Sequence, residues 1–65
     1  MLNSEYVGKE VLILVGPYAG VWGVVRNLFT FDTIECYIIA LWNNPELWFF
    51  YDEGDFRPLG KDEVI

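Results

Sequence analysis

Short apolar runs separated by turn-forming residues dominate the chain. Three of them, residues 10–15, 21–29 and 33–42, mix β-branched and aromatic side chains as strands do. A fourth run, 46–51, follows Asn43-Asn44-Pro45, residue types that accept the dihedrals of a tight reversal. No window places apolar residues three and four apart as an amphipathic helix requires, and glycine or proline interrupts every candidate. The pattern therefore predicts an all-β chain with one short 3-10 turn near residues 55–59, where Phe56 and Leu59 point inward across Pro58. Residues 61–65 are expected to supply a fifth strand.

Alternation assigns faces to these strands. In the third, Ile34, Cys36, Ile38, Ala40 and Trp42 share one face, and Thr33, Glu35, Tyr37, Ile39 and Leu41 share the other. An unpaired buried Glu35 is costly, so the first set is expected in the core and Tyr37, Ile39 and Leu41 outside as an apolar patch. In the second strand the charge of Arg26 selects the outer face in the same way. Val21, Gly23 and Val25 then point inward, and Trp22 and Val24 outward. The fourth strand, with Leu47-Trp48-Phe49-Phe50-Tyr51, is apolar on both faces, and alternation leaves its inner set open.

Sixty-five residues allow one domain, 1–65, near the lower size limit for a chain that folds without staples. With one cysteine and no histidine, neither disulfides nor a structural metal is expected to supply the staple. Stability must come from the 54% of residues that are hydrophobic. Short strands, tight turns and little helix point to a five-stranded barrel, closed because closure removes sheet edges.

Charge narrows the function. The net charge is −6, and residues 1–31 are balanced, with Glu5 and Glu10 against Lys9 and Arg26. The excess lies in Asp32, Glu35, Glu46, Asp52, Glu53, Asp55, Asp62 and Glu63, opposed only by Arg57 and Lys61. That half repels a polyanion, so direct nucleic-acid binding is not expected. The longest uncharged apolar run, residues 36–42, is too short to span a bilayer, and the N-terminal residues lack a basic start and a secretory apolar core. A cytoplasmic protein with no membrane association is expected, and a lone Cys36 in an apolar run suits a reducing compartment and an inert thiol.

Gly16, Gly20 and Gly23 call for their own explanation. Gly16-Pro17-Tyr18-Ala19-Gly20 reads as a turn in which Pro17 presets one dihedral and the glycines take positive φ. Gly23, inside a strand, marks a bulge, a sharp bend or a close backbone approach. The run from Val11 to Val25 resembles a KOW motif, a strand followed by Gly-x-x-x-Gly-x-x-Gly-x-Val, with Gly16, Gly20, Gly23 and Val25 on the motif positions. Its GPYAGVWGVV section is most similar to the KOW domain of NusG-type transcription factors. The resemblance implies an SH3-like barrel over nearly the whole chain, and either RNA binding, as in ribosomal members, or docking on proteins of transcription and translation, as in NusG-type members. Ala19, Val21 and Trp22 stand where RNA-binding members commonly carry lysine or arginine, which argues against RNA here.

Candidate chemistry is sparse. Asp52-Glu53-Gly54-Asp55 has the oxygen donors of a calcium loop but lacks the further ligands of a strong one, and a solvated charged turn is the preferred reading. No cofactor is expected, and without histidine, or a cleft to perturb a carboxylate pair, neither is enzymatic activity. Aromatic residues make up 18% of the chain, more than a minimal core requires, and clustered exposed aromatics are typical of binding hot spots. The favoured function is a non-enzymatic protein-interaction module that binds a basic protein, a component of transcription, translation or another nucleic-acid machine. Its expected contact residues are Trp22, Tyr37, Ile39, Leu41 and Trp48, with Glu35, Asp52, Glu53 and Asp55 at the acidic edge. The alternative is a phage-type inhibitor whose Glu35, Glu46, Asp52, Glu53, Asp55, Asp62 and Glu63 imitate phosphates in a nucleic-acid groove. Self-association through the Tyr37, Ile39, Leu41 patch is a third outcome.

Overall fold

The computed structural model describes residues 2–60. A 3-10 turn, Ser4–Tyr6, precedes five antiparallel strands: β1 (Glu10–Ile13), β2 (Trp22–Phe31), β3 (Ile34–Leu41), β4 (Asn44–Tyr51) and β5 (Phe56–Pro58). They form one sheet in the order β4-β3-β2-β1-β5. The all-β expectation holds, and the first four strands lie where the sequence puts them, with ends moved by a few residues.

The short turn and the last strand are exchanged relative to expectation. Residues 56–58 are not a 3-10 turn: Phe56 pairs with Ile13, Arg57 with Leu12 and Pro58 with Val11, which makes this segment a strand on the outer side of β1. A proline is tolerated there because its missing N–H can face away from the ladder. The open edge of β1 that recruits these residues is more than forty positions away in sequence, so no local signal announces it. The expected strand at 61–65 lies outside the described residues. The 3-10 turn sits instead at Ser4–Tyr6, capped by Asn3, whose side-chain oxygen accepts the Glu5 N–H at 2.9 Å.

Two hairpins build the centre of the sheet. Asp32-Thr33 joins β2 to β3 with Asp32 at φ 58°, a left-handed conformation that aspartate tolerates better than most residues. Trp42-Asn43 joins β3 to β4, one residue earlier than expected. Leu41 then pairs with Asn44, while Ala40 pairs with Trp48, so Pro45, Glu46 and Leu47 leave the ladder as a bulge. A second bulge at Arg26, between Val25 and Asn27, bends β2. Its first half is sandwiched between β1 and β3; its second half runs out with β3 alone.

The glycines do what their positions demand. Gly16 and Gly20 take φ of 80° and 91°, and the Gly20 N–H returns to the Ile13 carbonyl at 2.8 Å to close the loop. At Gly23 a Cβ would stand 2.6 Å from the carbonyl oxygen of Ala40, so the β2–β3 pairing is possible only without a side chain. Of the three reasons expected for a glycine inside a strand, a bulge, a sharp bend or a close backbone approach, Gly23 meets the third.

The core lies on one face of the curled sheet. Val11, Ile13, Val25, Tyr37, Ile39, Leu41 and Phe56 are buried, with Leu2, Tyr6, Val21, Leu28, Phe49 and Tyr51 packed around them. Val21 and Val25 face inward as expected, and β4 turns Phe49 and Tyr51 to the inside. The expectation for β3 is reversed: Tyr37, Ile39 and Leu41 are the centre of the core, whereas Ile34 and Trp42 are exposed. The argument from Glu35 fails because that residue lies beside the hairpin end, beyond the core, where it is exposed on the inner-face side of β3. Tyr37, Tyr6 and Phe56 form a mutual edge-to-face cluster with centroids 5.1–5.5 Å apart, and the Tyr37 hydroxyl accepts the Asn3 N–H at 2.8 Å. That bond satisfies the polar end of the largest fully buried side chain.

Among the described residues the sheet does not close through strand pairing, contrary to the closed barrel expected: β4 and β5 are its two edges. Side chains and loops approach across the opening instead. The rings of Tyr18 in the glycine loop and Phe49 of β4 meet with centroids 4.8 Å apart, and the β1–β5 ladder runs on one residue past β1, where the Leu14 N–H donates to the Asp55 carbonyl at 2.8 Å.

Candidate functional site

In an antiparallel sheet, directly opposed residues share a face. Since Tyr37, Ile39 and Leu41 point inward, the pairs Phe31–Ile34, Phe29–Cys36, Ile38–Phe50 and Ala40–Trp48 all point outward. The outer face of β2, β3 and β4 is therefore apolar along its length, with Trp22 and Trp42 at the end opposite the Asp32-Thr33 turn. Phe50 is 61% exposed, Phe31 60%, Ile34 58% and Trp48 57%, although each belongs to a strand inside a regular ladder. Exposed apolar residues scattered singly need no explanation, but a contiguous aromatic face does.

Aromatic contacts fix the relief of this face. Phe29 of β2 and Phe50 of β4 approach to 5.3 Å, which places their rings together over β3. Cys36 and Ile38 lie beneath that bridge, and Cys36 is buried although its side chain is on the outer side. Burial pushes the Cys36 thiol above its ordinary value, and the negative charge of Asp52 pushes it further. A thiol held protonated is a poor nucleophile, in keeping with a packing role. At the far end Trp22 and Trp42 stack with planes 8° apart and centroids 6.2 Å apart, joined by a backbone bond from the Trp42 N–H to the Trp22 carbonyl.

Acidic residues flank the aromatic face. Asp32 caps the β2–β3 hairpin, Glu46 sits in the β4 bulge, and Asp52 and Glu53 begin the turn after β4. That turn is closed internally: Gly54 takes φ 101°, the Asp55 N–H donates to the Asp52 carbonyl at 3.0 Å, and the Asp55 carboxylate accepts the Asp52 N–H at 3.1 Å. The described cations lie elsewhere, Lys9 before β1, Arg26 in the β2 bulge and Arg57 on β5. Among the described residues no three metal-ligating side chains converge, no pocket opens, and no helix is long and apolar enough to cross a membrane.

The structure thus divides the expected contact residues. Trp22 and Trp48 are on the outer face; Asp52, Glu53 and Asp55 share one turn at its border, and Glu35 stands exposed near the β2–β3 hairpin end. Tyr37, Ile39 and Leu41 are buried in the core, and the outer patch expected from them does not exist. Phe29, Phe31, Ile34, Ile38, Trp42 and Phe50 take that place. For Ile34, Ile38, Trp42 and Phe50 the signal was the other parity of β3 together with the even positions of β4, both as apolar as the set that became the core; Phe29 and Phe31 carried none, because the bulge at Arg26 shifts the parity of β2. No protein-family model matches the chain, and searches of the curated proteins and of the solved structures find no match.

Proposed function

We propose that this chain is a non-enzymatic protein-interaction module, an SH3-like barrel of KOW type that docks a basic protein through the outer aromatic face of β2, β3 and β4. The observation that carries the reading is the exposure of Phe31, Ile34, Trp48 and Phe50 on one face of one sheet. Large aromatics in a contiguous patch supply contact area at little cost in side-chain entropy, and they dominate the energetics of protein interfaces. The barrel assignment is supported by the strand order and by Gly16, Gly20 and Gly23, each at a motif position and each under a backbone constraint.

The acidic border selects the partner by charge. Basic surfaces are common on proteins that handle nucleic acid, which makes a component of transcription, translation or a similar machine the favoured class. Phosphate mimicry has less support, because the carboxylates of β4 are divided: Glu46 lies at one end and Asp52 at the other, with an apolar strand between them.

Affinity capture from lysate with the native chain and with an Ile34→Ser, Trp48→Ser variant tests the reading, each arm washed at low and high salt. A partner that survives high salt with the native chain and is lost by the variant, and that rebinds when purified, supports the aromatic interface. A partner indifferent to the variant but released by salt supports the acidic mimic and overturns the aromatic one.

A further inference from the structure

The β4 edge adds a mode of binding to that surface. Among the described residues, β4 pairs with β3 on one side and with no strand on the other. The direction of its free groups follows from the ladder. The Trp42 N–H donates to Trp22, which stands beside the Gly23–Leu41 pair, so even-numbered residues of β3 bond to β2 and odd-numbered ones to β4. Phe49 and Tyr51, opposite Ile39 and Tyr37, then turn their amides to β3. Trp48 and Phe50 turn theirs off the edge.

Exposed edges are normally blunted by lysine, proline, bulges or inward-pointing charge. In β4 those devices stop early: Pro45, Glu46 and the bulge occupy its first half, and residues 47–51 carry no charge and no proline. Trp48 and Phe50 thus combine outward amides with exposed outer-face side chains.

Resting on the interface reading above, we propose that the occupant is an extended segment of a partner protein, apolar at its centre and basic at its ends, added as a sixth strand beside β4. Its main chain bonds to Trp48 and Phe50. Its alternate side chains extend the aromatic face, and its basic ends meet Glu46 on one side and Asp52 and Glu53 on the other. Charge argues against a second copy of this chain in that place. In the two-fold register centred on Phe49, which uses all of residues 47–51, Glu46 of each copy stands opposite Asp52 of the other, a pairing of like charges that destabilises a sheet.

The probe is a fluorescein-labelled peptide, Lys-Arg-Val-Thr-Val-Thr-Val-Arg-Lys, titrated by anisotropy against the native chain, Phe50→Pro and Phe50→Ala, beside a peptide with glutamate in place of the basic residues. Both variants lose the ring, but only proline removes the outward N–H, at an edge position where it leaves the β3 ladder intact. Expected are binding of the basic peptide by the native chain, a loss of about tenfold in Phe50→Pro against less than about threefold in Phe50→Ala, and no binding of the acidic peptide. In the native chain, hydrogen exchange at the Trp48 and Phe50 amides slows when peptide is added, a readout independent of whether either variant folds. Equal losses in the two variants overturn strand addition while leaving the aromatic face as the interface. No binding of the basic peptide, equal binding of the acidic one, or Trp48 and Phe50 amides already protected without peptide also overturn it, the last because the edge is then covered by a second copy or by the chain itself.

Discussion

The two faces of β3 differ by one residue in register and by everything in fate. Tyr37, Ile39 and Leu41 are wholly buried against β1, β5 and the N-terminal turn, while on the other face Ile34 is exposed and Ile38 and Ala40 lie beneath an outer layer that includes Phe29, Phe31, Trp48 and Phe50. In composition the outer face is as apolar as the inner. The lesson is that hydrophobicity alone does not select a core: the buried face is the one onto which the sheet curls and other elements fold. Here the Arg26 bulge bends β2, and Tyr6, Phe56 and the glycine loop all arrive on the same side. What is left outside is a surface of core-like chemistry with acidic ends.

Paired truncations are the strongest way to break that comparison. Ile39→Ala is expected to cost about 2–5 kcal/mol, a large share of the roughly 3–10 kcal/mol available to a domain of this size. Trp48→Ala, beside the neighbouring residue but on the outer face, should stay below about 1 kcal/mol, the scale of a cross-strand pair. Urea unfolding followed by circular dichroism measures both, and equal costs would mean that the outer face is part of the core. Next in size, Gly23→Ala should lower stability by about 1–3 kcal/mol through overpacking against the Ala40 carbonyl. A melting temperature unchanged by that substitution would refute the close approach of β2 and β3.

Tyr37→Phe sharpens the inner face alone. It keeps the aromatic cluster but removes the acceptor of the Asn3 N–H, for an expected loss of about 1 kcal/mol. Faster hydrogen exchange at the Asn3 amide, with the strands unaffected, would locate the effect in the N-terminal turn.

The smallest expected effect has one reporter on each face. Burial raises Cys36 on the outer side and Tyr51 on the inner, with Asp52 adding to the first and Tyr18 and Asp55 to the second. Between the unfolded and the folded value of each group the folded chain holds a proton that the unfolded chain has released, so stability falls as pH rises through that window. The decline should begin near the ordinary cysteine value of 9.0 and deepen above the tyrosine value of 10.0. Cys36→Ala should remove the first part and leave the second; a flat profile above those values would mean that neither group is desolvated by folding.

Much of the architecture was legible in the residues. Four strands, the glycine loop and the close approach at Gly23 follow from local physics: β-branched runs, residues that accept positive φ, and a glycine where a side chain is least expected. The inward set of β2 before its bulge, Val21, Gly23 and Val25, was legible too; beyond Arg26 the register shift turns Leu28 inward and Phe29 outward, which alternation does not foresee. Glu35 misled in β3 because a charge near a hairpin end is solvated on either face and so reports nothing about the core. Residues 56–58 misled for another reason, since their partner strand is supplied by the opposite end of the chain.

By itself the sequence determined an all-β domain, its turns, its acidic half and the surplus of aromatic side chains, because these depend on composition and on neighbours a few residues apart. Only the tertiary structure decided which parity of β3 and β4 is buried, that β5 pairs with β1, and that β4 is an edge among the described residues. Each of those choices depends on contacts between residues distant in sequence, and where both faces of a strand are equally apolar, alternation contains no term that separates one from the other.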